Sequence, residues 1–296
     1  MARTLFISDL HLSPGRPDKL EVFRRFLRGP ALDAAAVYIL GDLFEEFWVG
    51  NDDRTPPNTE ILDELRRCTS AGARIYFIRG NRELMLTPFF ESLTGCRILQ
   101  DQTVIELDGK RVLLMHGDRL CSRDRKYQIY RRIIENWPAR TLFLSLPYRA
   151  RTGIAHGLRP YMRRSAGKKP EAIIDADQAT IERTMLAHDV DELIHGHTHR
   201  PGIHAFDLAG RPARRVVLGD WYERDSVLVC EGPRRELVPA ADCLAAAERE
   251  TPASRARSST VHARAGCACS NLMARLTEGS FRAASQPFWP GASSSM

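Results

Sequence analysis

Short apolar runs alternate with amphipathic segments along the first 118 residues of the chain. The runs are rich in β-branched and aromatic residues, as buried strands are. They cover Thr4–Ile7, Ala36–Leu40, Arg74–Ile78 and Arg111–Met115. Between them, Pro17–Arg28 and Asn58–Ala71 carry apolar residues at three-to-four spacing, which predicts helices with one buried face. This pattern predicts a sheet with helices packed outside it.

Further strands complete a mixed sheet. Thr103–Leu107 precedes Asp108-Gly109, a dipeptide typical of tight hairpin turns, so it should pair with the next run. After residue 172 the alternation resumes with a helix and three strands. They are Asp175–His188, Glu192–His195, Arg215–Leu218 and Ser226–Cys230.

Residues 119–172 interrupt this alternation. They are predicted to form helices divided near prolines: Tyr127–Arg140, Thr141–Arg151 and Thr152–Arg164. We therefore expect residues 1–118 and 173–239 to form a core, with 119–172 as an inserted helical cap. Residues 240–296 are rich in Ala, Ser, Arg and Gly with little periodicity, which predicts a disordered tail.

The charge of the chain is concentrated in that cap. The 296 residues carry a formal net charge of +6, yet residues 119–172 hold fourteen Lys and Arg against three Asp and Glu. The seven cysteines form no CxxC pair, which favours reduced thiols in a cytoplasmic compartment. No apolar run approaches the ~18–20 residues of a membrane span, and no signal-peptide pattern opens the sequence.

Polar residues able to bind metal follow five of the predicted strands. They are Asp9-Leu10-His11, Gly41-Asp42, Gly80-Asn81-Arg82-Glu83, His116-Gly117-Asp118 and His195-Gly196-His197-Thr198-His199. Each fragment alone is typical of a turn, but in α/β folds the strand C-termini converge on one site. Mixed carboxylate, amide and imidazole donors suit ions such as Mn²⁺ or Fe²⁺. Asp118 and His195 could orient the imidazoles from behind or simply pack.

In this order, D-x-H, GD, GN, H and GHxH, the fragments resemble the calcineurin-like metallophosphoesterases. The resemblance covers roughly residues 3–230 and implies an α/β fold, a four-layer αββα sandwich of mixed β-sheets. It also implies two divalent metal ions, with Mn²⁺ expected first, bridged by Asp42. One ion would take Asp9, His11, Asp42 and His199, and the other Asp42, Asn81, His116 and His197.

A narrower resemblance rests on the phrases around these motifs. Arg82 stands where many family members have His, and its forked donors suit a diphosphate. Gly41–Glu45, His116–Cys121, Ile194–Pro201 and Val216–Trp221 are similar to the family branch that cleaves UDP-2,3-diacylglucosamine in lipid A synthesis. The resemblance implies release of UMP and 2,3-diacylglucosamine 1-phosphate by attack of a metal-activated water. It also implies catalytic roles for Asn81, Arg82 and His116.

The same resemblance implies that the cap holds the acyl-sugar part of the substrate. The substrate contacts implied are Asn81, Arg82, Asp124, Ser165, Lys169 and His197, with Lys168 an equal alternative to Lys169. The resemblance implies a place on the cytoplasmic face of the inner membrane, where a basic cap with apolar residues is expected to be attracted to the anionic membrane surface. We expect a monomer. The chain departs from the branch at Glu83, generally Asp, and at Asp220, commonly a small residue.

Two other functions compete with this interpretation. A phosphoesterase acting on dinucleoside polyphosphates or cyclic nucleotides would share the metals without needing an apolar cap. A nucleic-acid-binding module could use the basic segment, but the sequence has no helix-turn-helix, RRM or zinc-finger signature, so no nucleic-acid partner is expected.

Overall fold

The structure is a computed structural model that describes residues 3–167, 175–222 and 225–249, with only the backbone of 161–167. Its strands, in chain order, are β1 (Thr4–Ile7), β2 (Ala36–Ile39), β3 (Ile75–Ile78), β4 (Arg97–Leu99), β5 (Thr103–Leu107), β6 (Lys110–Met115), β7 (Glu192–His195), β8 (Gly202–Leu208), β9 (Arg211–Val217), β10 (Ser226–Glu231) and β11 (Arg234–Pro239). Its helices are α1 (Pro17–Arg28), α2 (Pro30–Asp33), α3 (Asn58–Ser70), α4 (Phe89–Thr94), α5 (Arg125–Glu135), α6 (Trp137–Ser145), α7 (Tyr148–Gly167), α8 (Gln178–His188) and α9 (Ala240–Arg249).

The strands form two mixed sheets. In the described residues the first has the order β11-β10-β1-β2-β3-β4, and the second β5-β6-β7-β9-β8. The neighbours β1 to β4 are parallel, as are β6, β7 and β9, whereas the outer strands β5, β8, β10 and β11 pair antiparallel. The C-terminal ends of the parallel strands therefore carry the polar motifs.

Three apolar clusters lie between four layers, which are helices, the first sheet, the second sheet and helices. Successive side chains of a strand point to opposite faces, so neighbouring residues belong to different clusters. In β1, Leu5 and Ile7 face the cluster shared with helices α1 to α4, while Phe6 faces the second sheet. In β6, Leu114 faces the first sheet and Leu113 packs with residues of α8. The predicted four-layer αββα sandwich is confirmed.

The cap helices have different boundaries from those predicted. The first break falls at Asn136, whose extended ψ of 126° ends α5 and begins α6, rather than at Arg140. Pro138 lies in the first turn of α6, where a missing N–H costs nothing. The second break falls at Leu146, and α7 then continues through Pro160 without the predicted boundary at Thr152.

The sequence pattern missed the strands β4, β8 and β11 and the helices α2, α4 and α9. The strands β4, β8 and β11 lie at sheet edges, where solvent-facing residues weaken the alternation. The predicted disordered tail is wrong for Ala240–Arg249, which forms α9 and buries Leu244 against the first helical layer. Residues 250–296 lie outside the described part.

None of the helices among the described residues is both long and apolar enough to cross a membrane.

Candidate metal centre

The backbone of the candidate site is held in an uncommon conformation. Asp9, His11, Asp42, His197 and His199 have φ between 48° and 69°, in the left-handed region that non-glycine residues rarely occupy. The Asp9 and His11 N–H groups each donate 3.0 Å bonds to the Gly41-Asp42 loop. Local strain of this kind persists only where surrounding structure enforces it, and it concentrates at functional sites.

One group of side chains contains Asp9, His11 and His199, whose ligand atoms all lie within 4.8 Å of one another. His199 Nε2 lies 3.3 Å from Asp9 Oδ1. Asp9 is fully buried, and neighbouring imidazoles hold its pKa well below the usual range although burial alone would raise it.

A second group contains Asp9, Asp42 and His116 under the same distance limit. Asp42 lies between the groups, with Oδ2 3.7 Å from His11 Nε2 and Oδ1 3.6 Å from His116 Nε2. Asn81 Oδ1 is 3.1 Å from His116 Nε2. Since His116 Nδ1 contacts the Leu40 carbonyl at 2.8 Å, Nδ1 carries the proton and Nε2 is left for the site.

His197 completes this side of the site. Its ring centroid is 5.0 Å from that of His116, and its backbone N–H donates to Asp9 Oδ2 at 2.8 Å. Burial and the nearby His116 lower the pKa of His197 to about 4. Burial would also lower the pKa of His116, but the Asp42 and Asp9 carboxylates raise it to about 9.

Several buried polar atoms in the first group lack a hydrogen bond. They are Asp9 Oδ1 and both ring nitrogens of His11. A buried polar atom normally has a partner, because leaving one unpaired costs about 1–3 kcal/mol. Asp9 Oδ1 lies 3.3 Å from His199 Nε2 and His11 Nε2 lies 3.7 Å from Asp42 Oδ2, which fits ligand atoms gathered around a cation. The carboxylate and imidazole groups therefore suit a site for two divalent metal ions.

Glu83 joins the loops that carry Asp42 and Asn81. Its buried carboxylate accepts bonds from the backbone N–H groups of Asp42 at 2.9 Å, Phe44 at 3.1 Å and Gly80 at 3.1 Å. The packing beside it is close enough to require glycine, since a Cβ at Gly41 would lie 2.8 Å from His116 Nδ1.

Arg82 lies at the edge of the site. Its backbone N–H donates to Asp42 Oδ1 at 3.0 Å, and its guanidinium lies over the Phe47 ring, 5.2 Å from the centroid. The side chain is 20% exposed, so part of its guanidinium is open to solvent beside Glu45.

Glu45 connects the first group with the cap. Its Oε2 lies 3.3 Å from His11 Nδ1, and Arg159 of α7 donates to Oε1 at 3.0 Å. Tyr222 donates a 2.8 Å bond to Oε2. Burial alone would raise the pKa of Glu45, but the adjacent His11, Tyr222 and Arg82 hold it at about 2. No spacing in the sequence indicates a role for Glu45, which ends the phrase Gly41–Glu45.

Asp118 links helix α5 of the cap to the core through its hydrogen bonds, and none of the hydrogen bonds of its carboxylate among the described residues is to an imidazole. This buried carboxylate accepts bonds from the Tyr127 hydroxyl and the Arg131 guanidinium, both on α5. Arg131 also donates to Asp101 at 3.0 Å. His195 is buried too, with Nδ1 2.8 Å from the Gly196 carbonyl.

The predicted substrate contacts on the cap are only partly described. Asp124 is the N-cap of α5 and accepts a bond from the Tyr127 backbone N–H at 3.2 Å. The side chain of Ser165, together with Lys168 and Lys169, lies outside the described residues.

The cap exposes an unusual number of large apolar side chains. Trp137 is 77% exposed and Leu142 is 69% exposed, and others lie on α5 and α7. The exposed apolar set on the cap is Ile129, Ile133, Trp137, Leu142, Ile154 and Leu158. Exposed apolar patches are frequent at surfaces that bind a partner or a ligand.

Comparison with known proteins places the chain among phosphoesterases, in agreement with the clustered carboxylates and imidazoles. Residues 2–201 match the family described as calcineurin-like phosphoesterase. A protein of Aeromonas hydrophila named UDP-2,3-diacylglucosamine hydrolase is 46% identical over 234 residues, covering 79% of this chain and 97% of that protein. Proteins of the same name from Stenotrophomonas maltophilia and Pseudomonas putida are 47% and 43% identical, each over 76% or more of this chain and 93% or more of their own length.

Proposed function

The chain belongs to the calcineurin-like phosphoesterases, and from that premise we propose that it hydrolyses the diphosphate bond of UDP-2,3-diacylglucosamine to UMP and 2,3-diacylglucosamine 1-phosphate. The observation that carries the proposal is the 46% identity to a hydrolase of this name along 97% of its length. The clustered Asp and His side chains supply the chemistry that such a reaction needs.

The proposed metal ligands divide into two sets that share Asp42. One set is Asp9, His11, Asp42 and His199, and the other is Asp42, Asn81, His116 and His197. Asp42 suits the shared position because its two oxygens face His11 and His116 at nearly equal distances. Mn²⁺ is the proposed metal, since carboxylate, amide and imidazole donors suit it. When bound, two such ions polarise phosphoryl oxygens and supply a water deprotonated at neutral pH as nucleophile.

The chain's own residues would orient the diphosphate. Arg82 offers a planar guanidinium whose N–H donors can pair with two phosphoryl oxygens. Its positive charge would offset the negative charge that develops on these oxygens during hydrolysis. Asn81 Oδ1 lies 3.1 Å from His116 Nε2. These two side chains and Arg82 would together position the reacting phosphoryl group. His197, neutral at pH 7, is a further proposed contact.

The cap would bind the acyl-sugar end of the substrate. Asp124, Ser165 and Lys169 are the proposed polar contacts, with Lys168 as the alternative to Lys169. The exposed apolar side chains of the cap would contact acyl chains. With fourteen Lys and Arg against three Asp and Glu, residues 119–172 would also attract an anionic bilayer. We propose a monomer associated with the cytoplasmic face of the inner membrane.

The test measures UMP release from UDP-2,3-diacylglucosamine by chelator-treated protein, with and without added Mn²⁺. We expect activity only with the metal, and its loss in Asp42→Ala and His116→Ala. Asp63→Ala, on the exposed face of α3, is the matched control and should remain active. Intact activity in the Asp42 or His116 variant would overturn the two-metal assignment. Equal turnover of a soluble UDP-sugar lacking acyl chains would instead favour a different phosphoesterase substrate.

A further inference from the structure

The imidazoles of His11 and His199, in the first ligand group, each face a carboxylate that belongs to none of the ligand motifs. His11 presents Nδ1 to Glu45 Oε2 at 3.3 Å, and His199 presents Nδ1 to Asp220 Oδ2 at 3.4 Å. The Nε2 atoms point the other way, toward Asp42 Oδ2 at 3.7 Å and Asp9 Oδ1 at 3.3 Å. Each ring therefore lies between a carboxylate of the ligand group and a carboxylate behind it.

Tyr222 links the two outer carboxylates. Its hydroxyl donates to Glu45 Oε2 at 2.8 Å, and its backbone N–H donates to Asp220 Oδ1 at 2.8 Å. The Tyr222 ring centroid is 5.4 Å from that of His11. The preceding residue, Trp221, donates its backbone N–H to the Asp9 carbonyl at 3.1 Å. The segment 220–222 thus touches this side of the site at several points.

The second ligand group is supported differently. The Nδ1 atom of His116 contacts the neutral carbonyl of Leu40, not a carboxylate. A carboxylate behind an imidazole fixes the tautomer and raises the basicity of the nitrogen that faces the metal, more strongly than a carbonyl does. The His116 imidazole therefore differs from those of His11 and His199 in having a carbonyl, not a carboxylate, at its Nδ1.

We infer that Glu45 and Asp220 are positioning residues for the metal position formed by Asp9, His11, Asp42 and His199, with Tyr222 holding the two carboxylates in place. They keep the proton on Nδ1 of His11 and His199 and direct Nε2 inward. This inference rests on the proposed two-metal function and names residues outside its ligand set.

Asp220 gives the cleaner test, because Glu45 also contacts Arg159 of the cap. Asp220→Asn can keep the Oδ1 acceptor for the Tyr222 N–H, while its amide nitrogen replaces the oxygen that faces His199. If Asp220 only shaped the turn, this variant would behave as wild type. Tyr222→Phe removes the hydroxyl that restrains Glu45 and leaves the backbone bond intact. Asp63→Asn is the matched surface control.

The experiment is calorimetric titration of chelator-treated protein with Mn²⁺, with the EPR spectrum recorded at each step. Wild type and Asp63→Asn should bind two ions and develop the spectrum of a coupled pair. Asp220→Asn and Asp220→Ala should weaken one of the two steps by about 10–100-fold, with a mononuclear spectrum persisting beyond one equivalent. Tyr222→Phe should weaken the same step by a smaller factor.

Wild-type affinity at both steps in Asp220→Asn and Tyr222→Phe overturns the inference and leaves the proposed function standing. Absence of Mn²⁺ binding in wild type overturns both. Circular dichroism of the metal-depleted variants checks folding, and if Asp220→Ala fails to fold, the Asn and Phe variants decide the outcome.

Discussion

The Glu83 carboxylate accepts a hydrogen bond from the Asp42 backbone N–H at 2.9 Å and thereby ties the loop after β3 to the loop after β2. The same carboxylate accepts from Phe44 and Gly80, so three buried N–H groups depend on one side chain. The position of Asp42, which lies between the two ligand groups, depends on this junction.

Glu83→Gln should destabilise the protein, because the amide nitrogen must face at least one of those N–H donors. We expect a loss of about 2–4 kcal/mol in the free energy of unfolding, measured in urea. Glu91→Gln is the matched control: Glu91 accepts one backbone N–H, from Ile98 at 2.7 Å, which an amide oxygen can also do. Equal stability of the two variants would contradict this role for Glu83.

Metal removal should lower thermal stability, because the buried carboxylates of Asp9 and Asp42 then face each other without a cation. Adding Mn²⁺ to a hundredfold excess over its Kd should restore about 3 kcal/mol per site, seen as a rise in Tm. His199→Ala should show a smaller rise than wild type. An unchanged Tm in wild type on chelation and re-addition would count against the site.

Arg131→Ala should loosen the attachment of α5 to the core. It leaves the Asp118 carboxylate buried with one partner fewer and removes the bond to Asp101, so we expect a loss of about 3–5 kcal/mol in unfolding free energy. Arg132→Ala, at the next and exposed position, should be close to neutral. Equal unfolding midpoints for the two variants would show that the buried pair does not anchor the cap.

Trp137→Ala should reduce binding to vesicles that contain anionic lipid. The 77% exposed Trp137 ring offers apolar area to the bilayer interface, and the basic residues of the cap supply attraction that weakens with salt. Cosedimentation should show several-fold less bound protein. Phe89→Ala, which removes a half-exposed aromatic from α4 of the core, should bind as wild type does; a comparable loss there would argue against a surface specific to the cap.

Asp177→Ala should destabilise α8 in a pH-dependent way. Asp177 caps the helix by accepting bonds from the Thr180 N–H and hydroxyl, and these bonds lower its pKa. A carboxyl group whose pKa is lower in the folded than in the unfolded protein stabilises the fold at pH values above its unfolded pKa. This stabilisation is lost as the pH falls through the folded pKa. The difference from wild type, about 1 kcal/mol at pH 7, should therefore shrink as pH falls below 3.8, the ordinary pKa of Asp, and vanish below the lowered pKa of the folded protein. A constant difference across this range would contradict the capping role; Asp63→Ala is the control.

The strands nearest the site could be predicted because they are short, continuous apolar runs. Thr4–Ile7 and Glu192–His195 are buried on both faces, and each ends where a polar motif begins. The edge strand Gly202–Leu208 could not be predicted, because most of its side chains face solvent and carry no apolar period. The cap boundaries were shifted because periodicity continues across Asn136, and only its extended backbone ends the helix.

The residues behind the imidazoles could not be found from the sequence. Glu45 follows Asp42 by three residues, and Asp220 lies more than two hundred residues from Asp9, with no spacing that relates either one to a histidine. Folding brings Glu45 to His11 and Asp220 to His199, because β1 pairs with β2 and the Trp221 backbone bonds to Asp9.

The sequence by itself determined most of the strands, the polar residues at their C-terminal ends and the ligand types, because hydrophobic periodicity and residue chemistry are local properties; the four layers were implied by the family resemblance. Only the tertiary structure decided which carboxylate stands behind which imidazole, that Asp118 joins Arg131 and Tyr127, and that Ala240–Arg249 packs as a helix. Those choices depend on distances between residues remote in the chain, which are set by the pairing of strands and the packing of layers.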